Sequence, residues 1–256
     1  MLNYDPERGN TMETVGIIPA RYGSSRLPGK PLMDINGKPM IQHVYEAARK
    51  AENLQKIWVA TDSMEILRVC EKRQIPVILT KDTHRCAAHR LGEAAEQIKA
   101  DFYVQINGDE PLISWENIAA AVPERFPDEA EFGTNIIMPV TSPQEVLDSS
   151  NIKVVFDSSY KALYMSRTPI PCPFGTLDCI YYKHVGIIGY SRQMLDFYKN
   201  SSPGQLERTE GIDTLRFLDY GKPLYLIPVA KGESLSVDTL KDLEEVRKRS
   251  KNRELS

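Results

Sequence analysis

Short apolar runs alternate with segments whose apolar residues recur at helical spacing, and this alternation predicts the architecture. Residues 15–18, 56–61, 76–79 and 102–106 each read as one buried strand. Ile41, Val44, Tyr45 and Ala48 mark one helical face within residues 40–51, after a turn at Asn36-Gly37. Ile66, Leu67, Val69 and Cys70 mark a second, capped by Asp62-Ser63. A third helix follows the 81–90 loop and runs through Ala100. Strands joined by helices imply an α/β fold with a mostly parallel sheet. The second half is less regular. Strands at 133–140, 183–190 and 223–229 and a hairpin of 152–156 with 162–165 mix with helices at 143–148, 192–199, 207–220 and 240–248. Residues 1–13 lack periodicity and read as a mobile extension, and 249–256 as a frayed end. The expected organisation is a single domain over 14–250, with a phosphate and nucleotide half to about residue 130 and an acceptor half beyond it.

The first strand runs into a loop suited to phosphate. Gly23 and Gly29 permit close backbone approach and positive φ, Ser24 and Ser25 offer hydroxyl and N–H groups, and Arg21, Arg26 and Lys30 bring three cations. The spacing is one residue longer than Walker A, with Pro31 where its Ser/Thr belongs, and the dinucleotide G-x-G-x-x-G pattern is absent. A solvated basic turn is the alternative. The fourth strand ends in the acidic turn Asn107-Gly-Asp-Glu-Pro. In parallel sheets ligands lie beyond the carboxyl ends of strands, so the loop and Asp109 are expected to face one crevice. A phosphate cradle beside an acidic turn points to phosphoryl or nucleotidyl transfer, catalysed by positioning and charge neutralisation. Asp109 and Asp238 are the candidate ligands for Mg²⁺, which binds through one or two carboxylates plus substrate phosphates; Asp238, before a helix, reads equally as a cap.

Composition narrows the partners. The chain of 256 residues has 41% hydrophobic and 26% charged residues, as in an ordinary globular protein. A formal charge of -3 argues against a nucleic-acid binder, so any anionic ligand is held by local cations. No apolar run reaches the length of a membrane helix and the polar start lacks a signal-peptide core, so a cytoplasmic protein with no membrane partner is expected. The four cysteines, Cys70, Cys86, Cys172 and Cys179, show neither C-x-x-C pairing nor His in ligand spacing, which predicts reduced thiols.

The stretch Ile18-Pro-Ala-Arg-Tyr-Gly-Ser-Ser-Arg-Leu-Pro-Gly-Lys-Pro-Leu resembles the opening of the 3-deoxy-manno-octulosonate (Kdo) cytidylyltransferases. Val59-Ala-Thr-Asp, Gly108-Asp-Glu-Pro-Leu-Ile, Lys153-Val-Val, Ser166-Arg-Thr-Pro-Ile-Pro, Lys183-His-Val-Gly-Ile and Val237-Asp-Thr-Leu-Lys-Asp-Leu are similar to later landmarks of that family, from about residue 15 to 247. The resemblance implies a Rossmann-like nucleotidyltransferase fold with a smaller β-rich acceptor and dimerisation region. It implies transfer of CMP from CTP to an acidic sugar with release of pyrophosphate, and a homodimer. By position it implies that Arg21, Lys30 and Asp109 are catalytic, that Ala20, Gly23, Ser24, Ser25, Arg85, Arg90 and Asn107 join Arg21 and Lys30 around the nucleotide, and that Asp109 and Asp238 hold Mg²⁺. Asn107, Arg167, His184, Tyr190, Asp213 and Thr214 would lie towards the acceptor. His184 and Tyr190 each have a packing alternative.

The chain also departs from the pattern. Where the family usually reads His-Gln-Ser-Gly-Thr-Asp-Arg, this chain has His84-Arg-Cys-Ala-Ala-His-Arg90, in which Arg85 and His89 add cationic capacity. The usual Gln before Gly-Asp-Glu-Pro is Asn107, and the usual Glu-Gln-Leu-Arg is Asp213-Thr-Leu-Arg216. A site built on hydrogen bonds to hydroxyls penalises analogues that leave its groups unpaired, so these changes point to a different or smaller acceptor. The leading expectation is an Mg²⁺-dependent cytidylyltransferase acting on Kdo or a Kdo-like acid. A phosphonate or other small acid is the alternative acceptor, and an inactive nucleotide-binding paralogue is the alternative of another class.

Overall fold

A mixed sheet with helices on both faces carries the molecule. The computed structural model describes residues 12–23, 27–175, 178–230 and 235–254. Strand β1 (Thr14–Ala20) pairs in parallel with β4 (Lys56–Thr61) on one side and with β6 (Phe102–Ile106) on the other, and β4 pairs in parallel with β5 (Val77–Leu79). Beyond β6 the sheet turns antiparallel at β10 (Tyr182–Ser191), which pairs with β7 (Gly133–Pro139); β11 (Leu224–Pro228) adds in parallel to β7. The hairpin of β8 (Lys153–Phe156) and β9 (Ala162–Ser166) attaches to the start of β10. A separate two-stranded ribbon, β2 (Asp34–Ile35) with β3 (Lys38–Pro39), turns at Asn36 and Gly37, both with positive φ.

One face of the sheet is covered by α1 (Met40–Ala48), α2 (Met64–Lys72) and α4 (Trp115–Ala120), whose Ile41, Val44, Ile66 and Ile118 pack with Ile18, Val59 and Val104 of the strands. The other face carries α3 (Ala87–Gln97), α6 (Arg192–Asn200) and α8 (Leu215–Asp219), whose Leu91, Met194, Tyr198 and Phe217 pack with Val15, Ile17 and Tyr103. Strands buried on both faces read as continuous apolar runs, which is why the runs were legible without alternation. The remaining helices are α5 (Pro143–Leu147), α7 (Gln205–Glu210) and α9 (Leu240–Glu254). Among the described residues no helix is long and apolar enough to cross a membrane.

Several boundaries differ from expectation. Ser63 caps α2 as expected, accepting from the N–H groups of Glu65 and Ile66. The third helix begins at Ala87, so Arg90 lies inside it rather than in a loop. The expected helix over 207–220 is two, because Gly211 at φ 63° closes α7 in a left-handed cap. α4 was not anticipated. The frayed end is corrected in part: α9 continues to Glu254, since its Leu243 and Val246 pack with Ile35, Met40 and Val237. Of the expected N-terminal extension, residues 1–11 lie outside the described residues. Glu13 is already tied down, its N–H donating to Asp101 and its carboxylate pairing with Lys56.

Candidate active site

The strand order reverses between β1 and β6: from β1 the chain builds outward to β4 and β5, then returns to place β6 on the opposite side. A cleft of about 460 Å³ opens at the carboxyl ends of these two strands. Pro19, Ala20 and Arg21 enter it from β1, and Asn107, Gly108 and Asp109 from β6. Gly29, at φ 69°, turns the loop into a single 3-10 turn that delivers Lys30 to the same place. The Lys30 ammonium donates to Asp109 at 2.9 Å and to Asp238 at 3.0 Å. Burial acts to lower the Lys30 pKa, but the two carboxylates outweigh it and hold the group above its ordinary value. Asp238 is therefore more than a helix cap. At the start of α9 the Thr239 hydroxyl accepts from the Asp242 N–H, and the Asp242 carboxylate accepts from the N–H groups of Asp238 and Thr239.

The far wall is the start of α3, with Arg85, Cys86, Ala87 and Arg90. Arg90 is 3% exposed and is fixed by Asp62, at the end of β4, and by Thr80. His84 pairs with Glu93 of α3, which bends the preceding loop against the cleft. Asp213 closes the remaining side. Burial first, then the neighbouring Glu207, raises its carboxyl pKa, while a hydrogen bond with Cys86 and the Arg216 charge oppose the rise. Burial and the Asp213 charge push the Cys86 thiol up to about 11. That thiol is a neutral hydrogen-bonding group rather than a nucleophile.

The cytidylyltransferase family model matches residues 15–224. The chain belongs to the cytidylyltransferase family. It is an enzyme of the nucleotidyltransferase class. It is 37% identical to the 3-deoxy-manno-octulosonate cytidylyltransferase of Escherichia coli, over 92% of this chain and 95% of that protein. It is 38% identical to the 8-amino-3,8-dideoxy-manno-octulosonate cytidylyltransferase of Shewanella oneidensis, over 93% and 98% of the two chains. A solved CMP:2-keto-3-deoxy-manno-octonic acid synthetase, complexed with CTP, superposes with a TM-score of 0.89 at 37% identity, covering 94% of this chain and 99% of the other.

This cytidylyltransferase cleft gathers Ala20, Arg21, Lys30, Arg85, Arg90, Asn107, Asp109, Asp213 and Asp238 from the residues singled out in the sequence. Gly23 is not in its lining, and Ser24 and Ser25 lie outside the described residues. Four expected acceptor residues also do not line it. Tyr190 is 1% exposed, packs against Phe217 and donates its hydroxyl to Gln105. His184 sits against Asn135 Oδ1 at 2.7 Å, and burial, helped by the Arg167 charge, lowers its pKa to about 4. Thr214 is 2% exposed and donates to Met165 Sδ. Arg167 donates to the carbonyls of Ser149, Glu210 and Gly211 and acts as a brace.

Two contributors escaped sequence reasoning. Asp62 reads as a cap and as the end of the Val59-Ala-Thr-Asp landmark, with no hint of its ion pair to Arg90; its place at the carboxyl end of a strand beside β1 is the available signal. Cys86 was read as an ordinary thiol; its place within the altered His84 to Arg90 segment was the clue.

Proposed function

We propose that this enzyme transfers CMP from CTP to Kdo or its 8-amino analogue, releasing pyrophosphate in an Mg²⁺-dependent reaction. The observation that carries the reading is the convergence of Lys30 on Asp109 and Asp238 at the switch between β1 and β6. Relatives named for both acceptors and for CTP support it. The acceptor's anomeric hydroxyl attacks the α-phosphorus. Its new O–P bond forms as the bond to the bridging oxygen breaks, the hydroxyl proton is lost, and pyrophosphate leaves. Lys30, with Arg21 and Arg85 on the rim, neutralises charge on the leaving group. Arg90, held rigid by Asp62 and Thr80, supports the nucleotide wall.

Asp109 and Asp238 fit the metal. Their side chains are 32% and 29% exposed, and their hard carboxylate oxygens are brought together from distant parts of the chain. Two carboxylates are what Mg²⁺ typically takes from a protein, with substrate phosphates and water completing its shell. Bound there, Mg²⁺ supplies charge neutralisation at the phosphates.

We also assign the homodimer contact to the acceptor half, where Leu147, Leu163, Phe174 and Ile180 remain 60 to 98% exposed. The test is pyrophosphate release with CTP and Mg²⁺, with Kdo and its 8-amino analogue in competition and UTP as control. Turnover with neither sugar, but with a phosphonate or another acid, overturns the acceptor assignment. Sedimentation of the protein as a monomer overturns the dimer.

A further inference from the structure

His89 stands where the resembling family usually carries Asp, and it lies behind the cleft on α3. Its Nε2 is 3.1 Å from Arg216 Nη1, and its ring meets Tyr198 edge-on at 5.1 Å. Arg216 is 1% exposed and joins several elements at once. It donates to both oxygens of Glu207 on α7 at 2.6 and 2.7 Å, and to the carbonyls of Tyr198 and Ser201 at the end of α6. Its guanidinium lies 3.9 Å from the centre of the Tyr198 ring. The Arg216 N–H donates to the Asp213 carbonyl, so the same residue fixes the position of the Asp213 wall. The His89 contact thus ties the α3 wall to the Asp213 wall.

Arginine can only donate, so in this hydrogen bond His89 Nε2 accepts from an Nη1 group whose two N–H are shared with the Tyr198 and Ser201 carbonyls, and the ring that does so is neutral with its proton on Nδ1. A protonated ring presents an N–H to an N–H and sets two cations side by side. We propose that His89 is a positioning residue that holds the nucleotide and acceptor walls of the cleft at their working separation, and that only its neutral form does so.

The charges around it agree. On its own side stand Arg85, Arg90, which is paired with Asp62, and His84, which is paired with Glu93. From α7 and the start of α8 come Glu207, Arg216 and Asp213, and from α6 comes Tyr198. Burial, then the Arg216 and His84 charges, lower the His89 pKa below 6.5, while Glu207 opposes them. An aspartate at this position would pair with Arg216 at any pH above its own low pKa, so the substitution makes the contact proton-sensitive.

The inference rests on the cytidylyltransferase reading only for its activity readout. The experiment compares wild type with His89→Gln and His89→Asp from pH 5 to 8.5, measuring kcat/KM for the acceptor, the Kd for CTP, the Tm, and imidazole titration by NMR. Wild type is expected to lose about tenfold in acceptor kcat/KM over an acid limb whose midpoint matches the His89 titration. That limb should be absent in His89→Gln, which keeps a neutral acceptor and should stay within about threefold of wild type at pH 8. Profiles for His89→Gln that superimpose on wild type overturn the proposal, as does an Nε2-protonated neutral tautomer in the NMR spectra. A change in Tm with no change in either pH profile also overturns it, because that marks a merely structural residue. Failure of turnover with every acceptor overturns the functional reading instead, and the titration and CTP binding then still decide the role of His89.

Discussion

Lys30 and Asp109 are 79 residues apart in sequence and 2.9 Å apart in space, and the same ammonium reaches Asp238 on the far side of the chain. One cation therefore holds two carboxylates that would otherwise repel each other. Replacing Lys30 by Met is expected to lower kcat/KM for CTP by about 10²–10³-fold, the usual cost of removing one preorganised charge-stabilising donor. The folded pKa of Lys30 is raised, so its stabilisation is complete below pH 10.5 and is lost as pH rises through the raised value. Alkaline melting curves of wild type and Lys30→Met should therefore converge. Curves that stay parallel would show that the ion pair adds nothing to stability.

The two carboxylates should behave as one metal site. Asp109→Ala and Asp238→Ala are each expected to lose roughly a hundredfold or more of pyrophosphate release, and EDTA should reproduce the loss in wild type, with recovery on added Mg²⁺. Isothermal titration of Mg²⁺ into protein with a non-hydrolysable CTP analogue separates binding from turnover. Full activity in both variants would remove the metal from these residues.

Gly186 supports the site without entering it. A Cβ there would run into the side chains of Asn107 and Glu110. The obstacles are side chains rather than backbone, so Gly186→Ala should fold, with Asn107 pushed out of its place in the cleft. The expected result is a loss of about tenfold or more in kcat/KM with a Tm change of only a few degrees, since a small misplacement near the chemistry is costly. A variant that melts far below wild type would instead make Gly186 a packing residue.

Lys153 is fully buried, and its ammonium donates to the carbonyls of Asp148, Asn151 and Arg167. Lys153→Met leaves these carbonyls without that donor. We expect a loss of about 3 kcal/mol, or roughly 6–12 °C in Tm for a protein of this size. Burial depresses the folded pKa of Lys153, so the unfolded state binds the extra proton between that value and 10.5. Lys153 therefore contributes a rise in stability with pH across that window, and the rise should be missing from Lys153→Met.

By itself the sequence determined the strands, because those buried on both faces must be apolar throughout. Residues 56–61 and 102–106 match β4 and β6 end to end. It also marked the Gly- and cation-rich loop after β1 and the acidic turn after β6, because Gly29, Lys30 and Asp109 are informative residue types wherever they fold. The remaining features depend on partners far apart in the chain, which no local pattern announces. The partners that the expected acceptor residues Tyr190, His184, Thr214 and Arg167 meet are of this kind: Gln105, Asn135, Met165 and the 210–211 carbonyls all come from other segments. Asp62 and Arg90 became a fixed pair only when the parallel sheet brought β4 and β5 beside α3. His89 acquired a role only because Arg216, 127 residues away, approaches it from the other wall of the cleft. Residue type announces what a side chain can do; burial and the partner it meets decide which of those things it does.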